Sequence, residues 1–165
     1  MTVSKEGRNL ISAFEGATFK PYRCPAGYWT IGVGHRMSAQ ELWRWADKEL
    51  TPHQVDVLLS DDLYKVESAV ENRVKVAIDQ YQFDALASLA FNIGVGAFGD
   101  STLVKKLNAG QPCVDEFHKW VHITENGKKI KLNGLIERRT CEAQVFQFPL
   151  LSPEEKLSVL RFYHG

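Results

Sequence analysis

A chain of 165 residues with 20 basic and 20 acidic side chains has room for one domain, whole or divided into two lobes, and is too short for two independent ones. Its zero formal charge gives no overall electrostatic pull toward nucleic acid or an anionic membrane. No run approaches ~18 apolar residues, and the opening MTVSKEGRNL shows neither the apolar stretch of a signal peptide nor an anchor pattern, so a soluble, cytoplasmic product is expected.

In chain order, Ser4 caps a first helix with Leu10, Ile11 and Phe14 on one face, and Gly16 ends it in a left-handed conformation, which leaves Glu15 in the last turn. Residues 28–35 mix β-branched and aromatic side chains with Gly32 and Gly34, glycines that a helix would hold at about 1 kcal/mol each, and so predict a short hairpin. No other stretch reads as strand. Ser38 with Glu41, and Thr51 with Pro52 and Gln54, form capping boxes. A long helical pattern over about residues 60–74 carries Leu63, Val66 and Val70. "YQFDALASLAFNI", residues 81–93, predicts a buried central helix stopped by Gly94 and Gly96. Further helices are predicted at about residues 101–108, 112–122 and 134–148, with "TENGKKIKLNG" as a polar loop between the last two. In the tail, Ser152 and Glu155 make a capping box, Pro153 suits the first helical position, and Leu157, Leu160 and Phe162 form the stripe of a short docked helix.

The fold class is α+β, mostly α. A small N-terminal lobe with the hairpin (about residues 14–60) leads through a long connecting helix to a helical lobe (about 75–148), followed by a tail over 149–165. A cleft between lobes is the expected ligand site, with the stretch from Phe14 to His35 on one wall.

That stretch concentrates chemistry. Glu15 lies at a helix C-terminus, where unpaired carbonyls present partial negative charge, and it borders the apolar Ile11 and Phe14. Both effects favour the protonated acid, which general-acid catalysis near neutral pH requires. Taken alone, a glutamate in a last turn is ordinary solvated surface. Cys24 alone reads as a small buried hydrophobe, and Thr30 as a strand residue favoured by its β-branch. His35 fits a metal ligand, a catalytic base or a salt-bridge partner, the last being the commonest role for a single histidine without neighbouring ligands. "GVGH" lacks the third glycine and helix of a nucleotide loop and reads as a tight hairpin with close backbone approach. Cys24, Cys113 and Cys141 match no zinc or CxxC spacing and cannot all pair, so reduced thiols and no metal are expected.

The spacing changes the weight of these residues. Glu15, eight residues, Cys24, five residues, then Thr30 followed by "IGVGH" resembles the Glu-Asp/Cys-Thr pattern of the phage-type lysozymes, the endolysins of glycoside hydrolase family 24. "SLAFNIGVGAFGDSTLVKKLNAG" and "NGLIERRTCEAQVF" resemble that family's central and closing segments, so most of residues 4–148 is covered. The region of "ELWRWADKEL" matches less obviously, and residues 149–165 lie outside the resemblance.

The resemblance implies a two-lobed lysozyme-like fold and hydrolysis of the β-1,4 bond between N-acetylmuramic acid and N-acetylglucosamine in peptidoglycan, with inversion at the anomeric carbon. Glu15 takes the general-acid position, Cys24 the second catalytic position, usually a carboxylate, and Thr30 the third. His35 is matched to a structural salt bridge with Asp62, and Asn92 and Gly32 to substrate binding. No cofactor is implied. The implied partner is the peptidoglycan glycan strand, met by a monomer that waits in the host cytoplasm until a membrane lesion, such as a holin makes, admits it to the wall.

Three other readings are open to the sequence. A cell-wall peptidase could use Cys24 as nucleophile with His35 as its base, although such a thiol normally begins a helix and Cys24 precedes "PAGYWT". A lytic transglycosylase could use a single glutamate. A glycan-binding module could use the same groove without an acid.

Overall fold

The computed structural model describes residues 1–24, 27–125 and 127–163. They fall into two compact units, one of Ser12–Tyr64 and one of Met1–Ile11 with the chain from Lys65 onward.

The smaller unit is built on a three-stranded antiparallel sheet in the order β1-β2-β3, with β1 Thr18–Arg23, β2 Trp29–Gly32 and β3 His35–Arg36. Helix α1 (Lys5–Glu15) leads into it, and α2 (Ala39–Trp45) and the start of α3 (Pro52–Arg73) follow. Both predicted capping boxes are present. Ser38 and Glu41 cap α2 reciprocally, while Gln54 N–H donates to Thr51 Oγ1 at 3.2 Å and Thr51 N–H to Gln54 Oε1 at 2.8 Å. The cap at Thr51 starts α3 well ahead of the helical pattern seen from residue 60. Strand β1 was not anticipated: "TFKPYR" contains a proline and alternates only weakly, and its register with β2 is irregular between Thr18 and Tyr22.

The larger unit is helical around α4 (Gln80–Ile93), in which residues 83 to 90 are all buried. An N-terminal box of Asp79 and Gln82 starts α4. Gly94, at φ 89°, ends it, but Gly96 sits inside a further short helix, α5 (Val95–Asp100), so the second glycine is no stop. Next come α6 (Thr102–Asn108), a 3-10 helix at Val114–Lys119 where an α-helix was expected, a hairpin of β4 (His122–Glu125) and β5 (Lys128–Lys131), and α7 (Asn133–Phe146), which packs on α4. The hairpin corrects the reading of this stretch as a loop. Its strands are exposed and lysine-rich and carry no alternating apolar pattern, although the dipeptide Asn126-Gly127 is a hairpin signature.

Residues Met1–Ile11 join this unit through α4. Ser4 donates from its backbone to Asp84 Oδ1 at 3.0 Å and from its hydroxyl to Oδ2, and Gln80 donates to Thr2 O at 2.9 Å. Gly7 permits the approach, since a Cβ there would lie 2.6 Å from Asp84 Cγ. The tail forms α8 (Pro153–Tyr163), capped by Ser152 and Glu155 as expected. Among its described side chains Val159 is buried and Leu157 is 62% exposed, which corrects the predicted stripe at Leu157, while the side chain of Phe162 lies outside those described.

Candidate active site

Glu15 is the last residue of α1. The helix stops there because Gly16 turns to φ 73° while its N–H still donates to Ser12 O at 2.9 Å. The chain re-enters as β1, in which Tyr22 is the Cα partner of Thr30 and Arg23 of Trp29. Cys24 follows immediately, half-buried, its N–H donating to Tyr28 O at 2.9 Å and its carbonyl accepting from Gly27 N–H at 2.8 Å. Backbone bonds thus hold the thiol at the mouth of the β1–β2 hairpin.

Tyr22 reports on its neighbours. Partial burial, then the charges of Cys24 and Glu15, push its phenol above the ordinary value of 10.0. A phenol resists ionisation beside groups that carry or gain negative charge, so the helix-terminal carboxyl and the strand-end thiol share its surroundings. Opposite Tyr22, Thr30 is buried and its Oγ1–H donates to Tyr28 O at 3.2 Å. With its proton committed, Oγ1 has lone pairs to offer. Arg23, beside Cys24 in sequence, directs its guanidinium to Gly27 O at 3.3 Å and to the Trp29 ring at 5.1 Å. Gly32 takes φ 63° in the buried β2, where a Cβ would meet Leu58 and Val55 of α3 at 3.8 and 3.9 Å.

His35 is held from both sides. Its Nδ1 lies 2.8 Å from Asp62 Oδ2 and its Nε2 3.1 Å from Glu41 Oε1. Two carboxylates facing two ring nitrogens match the imidazolium, which donates twice. The hydrogen bond to Asp62 does most to raise the imidazole above 6.5, against the opposing effect of burial. Glu41 is in turn held below 4.5, chiefly by the hydroxyl and backbone N–H of Ser38, with His35 adding a smaller effect. The Asp62 partner matches the expected pair; Glu41 was read only as a cap. With both nitrogens facing carboxylates, His35 is not placed as a base for Cys24. Among the described residues no group of three or more His, Cys, Asp or Glu side chains could hold a metal ion.

Asn92 lies near the end of α4 in the larger unit. Its Oδ1 accepts from Arg139 Nη1 at 3.0 Å, and Arg139 Nη2 donates to Glu142 Oε1 at 2.8 Å. Arg139 Nε and Glu142 Oε2 face each other at 2.7 Å as an ion pair. Ser88 Oγ and Arg138 Nε also donate to Glu142 Oε1, at 2.7 and 3.0 Å. Arg138, Arg139 and Glu142 are all buried, so these charges sit in mutual contact away from water. The sequence shows these residues as the Arg-Arg-x-x-Glu of the closing segment that resembles the family, but gives them no role: the four charges of "ERRTCEAQ" look like a solvated helix face, and the Ser88 partner lies 54 residues away.

The model of the phage lysozyme family matches residues 12–142. The chain is 40% identical to an endolysin of Acyrthosiphon pisum secondary endosymbiont phage 1, over 89% of this chain and 99% of that one. It is 39% identical to the endolysin of Bacillus phage B103 over 88% of its own length, but spans only about half, 54%, of that protein. Among solved structures it resembles the endolysin from Escherichia coli O157:H7 phage FAHEc1, with a TM-score of 0.81, 34% identity, and coverage of 93% of this chain and 97% of that one. It also resembles the muramidase domain of SpmX from Asticaccaulis excentricus, with a TM-score of 0.79, 36% identity, and coverage of 92% and 99%.

Proposed function

This chain belongs to the phage lysozyme family, and from that premise we propose that it hydrolyses peptidoglycan, cutting the β-1,4 bond between N-acetylmuramic acid and N-acetylglucosamine with Glu15 as general acid. The observation that carries the assignment is the match to the phage lysozyme family over residues 12–142, which takes in Glu15, Cys24 and Thr30, all three within the unit of Ser12–Tyr64. A carboxyl group at a helix end, a thiol at a strand end and a buried hydroxyl opposite Tyr22 supply an acid, a second polar group and a water acceptor within one small unit.

In this reading the Glu15 carboxyl donates its proton to the glycosidic oxygen as the C–O bond breaks. A water attacks the anomeric carbon from the opposite face, with inversion. Thr30 Oγ1, its own proton committed to Tyr28 O, accepts a hydrogen bond from that water and orients it. The Cys24 thiolate takes the water's other proton, the part a carboxylate plays at this position in most of the family. Within the larger unit Arg139 holds Asn92 Oδ1, which leaves the N–H2 end as a donor suited to the carbonyl of an N-acetyl group.

The peptidase reading loses support, because His35 is engaged by Asp62 and Glu41. Delivery follows the same family logic. No helix among the described residues is long and apolar enough to cross a membrane, and we infer release to the wall through a lesion such as a holin makes, with the enzyme acting as a monomer.

Mass spectrometry of muropeptides after digestion tests the reaction. New reducing N-acetylmuramic acid ends are expected; 1,6-anhydro ends would instead mark a transglycosylase, and new free amines a peptidase. Glu15→Gln is expected to lower activity by roughly 10²-fold or more while keeping the fold, because the amide has no proton to give the leaving oxygen. Normal clearing of permeabilised cells by that variant would overturn the assignment.

A further inference from the structure

The β4–β5 hairpin concentrates positive charge. Its register pairs His122 with Lys131, Ile123 with Ile130 and Thr124 with Lys129. Strand alternation therefore puts His122, Thr124, Lys129 and Lys131 on one face and Ile123, Lys128 and Ile130 on the other. All of β5 is exposed, and the hairpin is closed at its base by Leu132 N–H donating to Val121 O at 3.0 Å. Residues 117–136 contain four lysines, two histidines and a single acid, Glu125, so in a chain of zero formal charge the remainder is net acidic. Two lysines elsewhere are paired, Lys20 with Glu49 and Lys106 with Glu116. Among the described residues Lys119, Lys129 and Lys131 pair with no carboxylate.

We propose that the hairpin face of His122, Lys129 and Lys131 is a docking surface for the carboxylates of peptidoglycan stem peptides. It holds the enzyme on its insoluble polymer through groups separate from those that cut the glycan. The inference rests on the reading of the chain as a peptidoglycan hydrolase, which makes a carboxylate-bearing polymer the surface at which it works. Charge complementarity selects an anion, and the side chains select its kind. Lysine ammoniums are hydrated point charges on flexible stems, about 7 Å apart at alternate strand positions, and suit scattered mobile carboxylates. No arginine fork of the sort that fixes phosphate occurs in residues 117–136. A lipid surface fits less well: the face of Lys129 and Lys131 carries no apolar anchor, and Ile123 and Ile130 share the opposite face with one lysine, Lys128, whereas membrane binding needs apolar anchors flanked by several basic groups.

Co-sedimentation with purified sacculi tests this, using the full chain on untreated sacculi and on sacculi whose stem carboxylates have been converted to amides. Lys129→Glu with Lys131→Glu is expected to weaken binding to untreated sacculi about 10-fold, because exposed ion pairs are individually weak and two are replaced here by repulsion. The unaltered chain is expected to lose a similar factor on amidated sacculi, an arm independent of how the variant folds. Both proteins are expected to cleave soluble, stem-free glycan oligomers at equal rates. Undiminished binding of the unaltered chain to amidated sacculi would overturn the proposal. So would lysine-dependent binding to phosphatidylglycerol vesicles that exceeds binding to sacculi, which would assign the face to a membrane. Lysine-dependent binding to sacculi by a chain that releases no reducing ends would support the docking surface and overturn the hydrolase reading, so the two fail separately.

Discussion

Cys24 occupies a position where a carboxylate would be ionised at any pH of interest, whereas a thiol, with a reference value of about 8.5, is mostly neutral at pH 7. If its thiolate is the base, Cys24→Asp is expected to keep activity and extend it to lower pH. Cys24→Ala is expected to lose about 10- to 1000-fold. A pH–rate profile of the three proteins measures this, and full activity in Cys24→Ala would reduce Cys24 to packing. His35 gives a second pH dependence, in stability. Its value is raised in the fold, so its contribution is complete below the unfolded value of 6.5 and is lost as pH rises through the folded one. Glu41 is lowered, so its contribution is present above 4.5 and is lost as pH falls through its folded value. The cluster is thus strongest between those two values. Side-chain exposures of 16% for His35 and 23% for Asp62 place the pair between surface and core. Asp62→Asn is accordingly expected to cost about 1–3 kcal/mol in that window and little at high pH. NMR titration of the His35 ring checks the cause: its midpoint is expected to fall in the variant, and an unchanged midpoint would rule the coupling out.

Among elements, α8 lies outside the segments that resembled the family; it packs on α7 and carries a fully buried Val159. Lys156 lies 5.8 Å from the Phe148 ring, and that ring stacks on Tyr81 at 4.6 Å. Truncation after Leu151 is expected to cost about 2 kcal/mol, one buried aliphatic side chain, and to lower Tm by roughly 4–8 °C in a chain of this size. An unmoved melting curve would show α8 to be dispensable. The cap of α8 was legible because Ser152 and Glu155 are local signals. Its buried face was not, since Leu157, Val159 and Leu160 are all apolar and only packing against α7 decides among them. The same distinction runs through the chain. Helices α1, α2 and α4 announced themselves by caps, glycine stops and apolar runs. Strand β1 and the β4–β5 hairpin, whose stability lies in pairing between distant or solvated residues, left almost no apolar pattern to read.

Across the whole molecule, the candidate acid, thiol and hydroxyl were legible because fewer than twenty residues separate Glu15 from Thr30 in one contiguous unit. The ion cluster behind Asn92 was not, because it joins Ser88 of α4 to Glu142 of α7, and no local rule tells a buried charge from a solvated one. The attachment of Met1–Ile11 to the larger unit has a further consequence, for the order in which the chain can fold as it is made. Residues 12–64 are continuous and can close as soon as they emerge. The eleven before them cannot, since Val3 is held by Glu67 and Ser4 by Asp84, and α4, which carries Asp84, packs on a helix that begins at Asn133. Residues 1–11 must therefore stay unclaimed until the chain has been made through α7, so that the unit bearing Glu15 is complete while α1, at whose end Glu15 sits, still lacks the anchor for its other end.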